Sequence, residues 1–115
     1  MFRVFTLIIV FLFVNAEKYT YASNSSKQLG SINFSTSVSG IAQTHFLHGV
    51  AALHSFWYTE ALSAFKKSIS VNPRFAMGYW GLAMAHNHPL WEEQDYQSAK
   101  DALSKINNFS KLTQR

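Results

Sequence analysis

The chain has 115 residues but contains no cysteine and only two prolines. Without cysteine it has no disulfide framework, no thiolate metal ligand, no cysteine nucleophile and no lipidation site of the bacterial lipoprotein kind. Charged residues make up only 14% of the chain, and its lysines and arginines are scattered, with Lys66 and Lys67 the only adjacent pair. Because nucleic-acid binding usually requires a basic stripe, we expect no nucleic-acid partner.

A long hydrophobic run is also missing. The apolar stretch VFTLIIVFLFV covers residues 4–14, which is short of the ~20 residues that span a bilayer as a helix. Arg3 precedes it and the small residue Ala16 follows it, so residues 1–16 are interpreted as a secretory signal peptide, with a second candidate cleavage site after Ala22. An uncleaved anchor remains the alternative. We therefore expect a secreted or periplasmic protein with no stable membrane span after cleavage.

Residues 17–40 are rich in serine and lack a helical apolar rhythm. This composition predicts an exposed, irregular leader, with a short extended piece around residues 32–34. Ser37 or Ser39 is well placed to cap the first helix.

Beyond the leader, the apolar spacing predicts four helices and hence an all-α fold of antiparallel helix-turn-helix hairpins. The first begins near residue 41 and ends at the aromatic run of residues 56–58. The second is capped by Thr59, carries Glu60 in its first turn and ends before Pro73. The third runs from residue 75 or 76 to Pro89, and the fourth covers residues 95–106. Its expected apolar side consists of Tyr96, Ala99, Leu103 and Ile106.

A 34-residue register fits these helices as two repeats, residues 42–75 and 76–113. The first repeat places small, aromatic and turn residues where the pattern requires them, at Gly49, Ala61, Phe65, Ser68 and Pro73. The second places Tyr79, Leu82 and Ala83 in register, whereas Ala99 and Leu103 fit only after a four-residue delay caused by an insertion around residues 88–93. Within that insertion, Leu90 and Trp91 are expected to fold back over the helical hairpin. The alternative is an unrelated four-helix arrangement with the same spacing.

With these residues the chain resembles the tetratricopeptide repeat (TPR) family. More narrowly, it resembles exported bacterial-type repeat proteins with the segments LHSFWY-EA and YWGLAMA-NHPLW, which correspond here to residues 53–61 and 79–91. The resemblance implies a protein–protein interaction scaffold with no enzymatic activity and no cofactor. Two repeats are fewer than the three that stable stacking generally needs. We therefore expect the chain to be the N-terminal part of a longer repeat protein, or to rely on further repeats or on a homo-oligomer.

The resemblance also implies a concave groove that binds a protein or peptide. The groove positions are Phe46, Val50, Leu53, His54, Met77, Trp80 and Met84. The competing interpretation is that another repeat, or the leader, covers these residues.

The five histidines of the chain raise metal binding as an alternative function. His45 and His48 share a helical face, and His86 and His88 end the neighbouring third helix, so a three-histidine zinc or copper site is geometrically conceivable. Such a site would make the chain a metal-binding or metal-dependent enzymatic protein. However, His45 and His48 occupy repeat positions that face the partner helix, so we expect hydrogen-bonded core residues, no metal site and no catalytic residues.

Overall fold

The computed structural model describes residues 29–106 and Leu112. The predicted signal peptide, residues 1–16, and the leader up to residue 28 lie outside the described residues. Of the described residues, those from Ser31 to Ile106 belong to one compact unit. The described residues are mostly helical, which confirms the all-α prediction.

The helices and strands of the described ranges alternate with short connections. In chain order they are α1 Gly40–His54, α2 Tyr58–Val71, α3 Ala76–Met84, strand β1 Asn87–His88, a 3₁₀ turn Pro89–Trp91, strand β2 Glu93–Gln94, and α4 Tyr96–Ser104. Each helix packs on the next, and α1 also contacts α3. The short loops after α1 and α2 place the first three helices antiparallel to their neighbours. None of the helices in the described ranges is long and apolar enough to cross a membrane.

Three phenylalanine rings form the centre of the core. Phe46 of α1 and Phe65 of α2 have no exposed surface, and Phe75, just before α3, is 2% exposed. The Phe46 ring centroid lies 5.7 Å from that of Phe65 and 5.2 Å from that of Phe75. Three helices therefore meet at one aromatic cluster, where truncating a phenylalanine typically costs about 3–5 kcal/mol.

Phe65 explains why two helix positions need glycine. A Cβ atom on Gly49 of α1 would lie 2.7 Å from Phe65 Cε1, and a Cβ on Gly81 of α3 would lie closer still. The ring is thus wedged between the backbones of α1 and α3. Farther along α2, the buried Ser68 hydroxyl donates a hydrogen bond of 2.7 Å to the carbonyl of Ala42.

The leader does not stay fully exposed as predicted. Residues 31–38 form neither a helix nor a strand, and their side chains alternate between exposed and half-buried. The Phe34 ring lies 5.4 Å from Phe46. The side-chain amide of Gln43 donates to the Phe34 carbonyl at 2.7 Å, and the Thr36 hydroxyl donates to Gln43 Oε1. The leader packs on α1 because Phe34 covers apolar surface there.

Several helix ends differ from the prediction in their capping residue or their position. Ser39 occupies the N-cap position of α1, but its side chain makes no capping hydrogen bond. Helix α2 is preceded by Trp57, so Thr59 lies inside the helix and is not its cap. Helix α3 ends at Met84 and does not reach Pro89, because the chain turns at Ala85 and then pairs β1 with β2.

The last helix buries less than its spacing predicts. Within α4, Ala102 is 4% exposed, whereas Tyr96 is 73% and Leu103 is 39% exposed. The predicted apolar side is therefore only partly covered by the described residues. Asp95 caps the helix by accepting a hydrogen bond of 3.0 Å from the Ser98 amide.

Candidate functional site

An open pocket lies where the α1–α2 loop meets the 3₁₀ turn. Its volume is about 570 Å³. It is lined by Phe56, Trp57, Tyr58, Thr59, Glu60, His88, Trp91 and Glu93, which together we call the aromatic pocket. Three of its aromatic side chains remain about half exposed, with 48% of Phe56, 44% of Trp57 and 57% of Trp91 accessible to solvent.

The α1–α2 loop holds its aromatic residues in a Schellman motif. The Trp57 amide donates to the Ala52 carbonyl at 2.9 Å, and the Phe56 amide donates to the Leu53 carbonyl at 3.1 Å. This motif needs a left-handed residue after the helix, a position that usually holds glycine. Here the residue is Phe56, with φ at 59°. A side chain in this conformation costs roughly 1–2 kcal/mol.

A second left-handed residue follows the 3₁₀ turn. The 3₁₀ turn Pro89–Trp91 is followed by its C-cap residue Glu92, which has φ at 52°. In the described part of the chain, Phe56 and Glu92 are the only residues other than glycine with positive φ. Phe56 lines the aromatic pocket, and Glu92 lies in the chain between the two lining residues Trp91 and Glu93. Backbone strain of this kind concentrates at binding and catalytic sites.

Inside the pocket, Tyr58 is fixed between two rings. The His88 ring stacks on it with a centroid distance of 4.1 Å, and Trp91 meets it edge-on at 5.7 Å. His88 Nε2 lies 3.1 Å from the Ala85 carbonyl oxygen. Because a carbonyl only accepts, Nε2 is the donor and the imidazole orientation is set. The prediction that the insertion folds back is confirmed for Trp91, whereas Leu90 is 63% exposed.

Two carboxylates supply the charge of the pocket. Glu60 Oε1 accepts a hydrogen bond of 2.7 Å from His48 Nε2, and Glu93 Oε2 lies 3.6 Å from His88 Nδ1. Lysine and arginine do not occur among the lining residues. The pocket is therefore acidic, although the whole chain has a formal net charge of +4.

The base of the β-hairpin is tied to the start of α4. The Asp95 amide donates to the His86 carbonyl at 3.0 Å, and His86 Nδ1 lies 4.0 Å from Asp95 Oδ2. Hydrogen bonds from Ser98 hold the pKa of Asp95 below its usual value, and the nearby His86 acts in the same direction. This connection fixes the segment that carries the pocket wall.

The predicted groove is only partly present as a surface. Phe46 and Val50 are 0% and 3% exposed, so placing them on an open groove is wrong. Phe46 is enclosed by Phe34, Phe65 and Phe75. Because Phe34 belongs to the leader, the structure agrees at this position with the competing interpretation that the leader covers the groove. The other predicted groove residues retain accessible surface: Leu53, Met77 and Trp80 are half-buried, and His54 and Met84 are exposed.

The repeat-signature residues divide between core and surface. Five of them are buried: Gly49, Ala61, Phe65, Leu82 and Ala83. Tyr79 is half-buried, and its hydroxyl donates to the carbonyl of the exposed Pro73 at 3.0 Å. In the delayed second half, Ala99 is half-buried and Leu103 is exposed.

The histidines do not converge. His48, His86 and His88 each face a different carboxylate. His45 and His48 are half-buried and not part of the closed core, although His48 has the expected hydrogen-bond partner. Over the described ranges, which include all five histidines, no three His, Asp or Glu side chains form a group that could hold a metal ion. The proposed three-histidine site is therefore not formed.

Fold and pocket together define an all-α protein of packed helical hairpins that carries an open, acidic aromatic pocket. Comparison with protein-family models, curated proteins and solved structures finds no match, so the chain is assigned to no family.

Proposed function

We propose that the chain is an exported, TPR-type interaction scaffold that works by binding and not by catalysis. The observation that carries the proposal is the aromatic pocket, in which Phe56, Trp57 and Trp91 stay about half exposed. Exposed aromatic surface is unfavourable in water, and clustered patches of it mark interaction sites. Tryptophan and tyrosine are also the residues that most often dominate binding energy at protein interfaces.

The TPR-type assignment draws its support from the packing around Phe65. A small residue on α1 and another on α3 receive the ring of the intervening helix, as expected where adjacent hairpins stack. The partly uncovered side of α4, with Tyr96 and Leu103 exposed, fits the start of a longer array. In such arrays each repeat contacts only its neighbours, so a terminal face needs a cap or a further repeat.

The metal-binding alternative has no comparable support. Each histidine near the pocket pairs with its own carboxylate, and those carboxylates are spread over different walls. We therefore propose protein or peptide as the partner class.

The test is quantitative capture of extracellular or periplasmic partners by the full chain and three variants. Trp91→Ala removes a pocket wall, Trp80→Ala alters the predicted groove, and Tyr96→Ala removes an exposed aromatic outside both surfaces. We expect the same partner to be retained by the wild type, Trp80→Ala and Tyr96→Ala, and its binding to fall about tenfold or more with Trp91→Ala. Equal capture by Trp91→Ala, with its circular dichroism unchanged, would refute the pocket as the contact surface.

A further inference from the structure

We propose that the aromatic pocket binds an organic cation, namely an alkylated ammonium group. This inference goes beyond the proposed function, because a free cation would bind whether or not a protein partner exists. It rests on a combination of features at one place: aromatic rings on several sides, two carboxylates, and an opening to solvent.

The aromatic rings of the pocket provide the first contribution to binding a cation. Tyr58 lies at the centre of the aromatic set, with Trp91 edge-on to it at 5.7 Å and Phe56 at 6.5 Å. Trp57 adds a second indole to the lining. The face of an aromatic ring carries partial negative charge and attracts a cation within about 6 Å of the ring centroid. Indoles are the strongest of these acceptors, and the pocket contains two of the three tryptophans of the chain.

The carboxylates supply the second part. Glu60 and Glu93 both line the pocket, and each lies beside an imidazole, that of His48 and that of His88 respectively. Their side chains are 39% and 73% exposed, so both carboxylates are accessible from solvent. An anionic ligand would be repelled by both groups. A neutral apolar ligand would gain ring contact but nothing from the carboxylates.

The shape favours a head group attached to a longer chain. The pocket holds about 570 Å³ but is open to solvent, so a ligand can enter with its cationic end and leave its remainder outside. The strained backbone at Phe56 and Glu92 is consistent with walls held in place for this purpose.

The test uses choline as the probe and the indole N–H signals of the full, ¹⁵N-labelled chain as the readout. The three tryptophans give three indole signals, and Trp80 serves as an internal control because it does not line the pocket. We expect saturable shifts of the Trp57 and Trp91 signals and a constant Trp80 signal. The uncharged isostere 3,3-dimethyl-1-butanol has the same shape without the charge, and it should bind about tenfold more weakly.

Two adjacent glutamates provide a matched pair of variants. Glu93→Gln removes a carboxylate that lines the pocket, whereas Glu92→Gln removes one that does not. We expect Glu93→Gln to weaken choline binding about threefold or more, and Glu92→Gln to leave it nearly unchanged. The dispersion of the amide spectrum shows that each variant is folded.

A further arm replaces choline with a short peptide that carries one trimethylated lysine. Tighter binding of the peptide would assign the ammonium group to a partner side chain, and tighter binding of choline would assign it to a free metabolite; either ranking supports the cation site. Three results would overturn the proposal: equal shifts with the uncharged isostere, equal loss in both glutamate variants, or no saturable shift of Trp57 and Trp91 by either cation.

Discussion

Phe56 is a position where stability and binding are expected to conflict. Its φ of 59° is the conformation that glycine adopts without steric cost. Replacing it with either glycine or alanine removes the same half-exposed ring, so the comparison of the two variants isolates the backbone. A left-handed alanine retains the penalty of roughly 1–2 kcal/mol. Glycine removes that penalty but loses about 0.4–1 kcal/mol through the greater freedom of its unfolded chain.

The free energy of unfolding of Phe56→Gly should therefore exceed that of Phe56→Ala by about 0.5–1 kcal/mol. At most positions alanine is instead the more stabilising of the two residues. With a urea slope of about 1 kcal/mol/M, the unfolding midpoint of Phe56→Gly should lie about 0.5–1 M above that of Phe56→Ala. Urea titration followed by far-ultraviolet circular dichroism measures this shift. Both variants should weaken choline binding to a similar extent, because both lose a pocket wall. If Phe56→Ala proves more stable than Phe56→Gly, residue 56 does not have the left-handed backbone conformation described here.

Two further predictions concern the fold. Gly81→Ala should lower the free energy of unfolding by about 1–2 kcal/mol, although alanine favours helices, because its methyl group would press on the buried Phe65 ring. Phe65→Leu should make the Gly81→Ala substitution less costly. An unchanged or raised stability of Gly81→Ala in urea titration would argue against this packing. The lowered pKa of Asp95 means that its contribution is present above about pH 4 and is lost as the pH falls through the folded-state pKa. Amide exchange in α4, corrected for intrinsic rates, should therefore accelerate at low pH in the wild type and not in Asp95→Asn; the same pH profile in both would assign the effect to another carboxylate.

The helical core was accessible from sequence because periodicity and residue size act locally. The spacing from Ile41 to Pro73 predicted two helices, and the structure contains α1 and α2 there. The repeat register predicted a small residue at Gly49, and in the structure the Phe65 ring leaves no room there for a side chain. That the Phe65 ring also meets Gly81 depends on how α3 is placed against α2, which residue spacing does not specify.

The helix ends were less predictable because competing caps have similar sequences. Thr59 is a good capping residue, yet the Schellman motif that closes α1 leads directly into α2 at Tyr58. Similarly, nothing in the composition of residues 85–88 prevents a helix from reaching Pro89. Helix α3 ends earlier because His88 pairs with Glu93 across the hairpin, and this pairing is a tertiary contact that local sequence does not specify.

The aromatic pocket was missed although both of its parts are visible in the sequence. The run at residues 56–58 and the tryptophan of the insertion are 33 positions or more apart, and periodicity says nothing about which loops meet. A usable signal would have been the coincidence of aromatic residues in two loops that the repeat register brings to the same end of adjacent hairpins. The groove prediction failed at Phe46 for a related reason, because Phe34 lies in a segment without helical pattern.

The central claim is that this protein binds its partner through the aromatic pocket and not through the predicted groove. The most direct measurement records the three indole N–H signals of the full chain while the captured partner is added. We expect the Trp57 and Trp91 signals to shift or broaden and the Trp80 signal to stay in place. A shift of Trp80, with Trp57 and Trp91 unaffected, would contradict the account and place the partner on the helical groove.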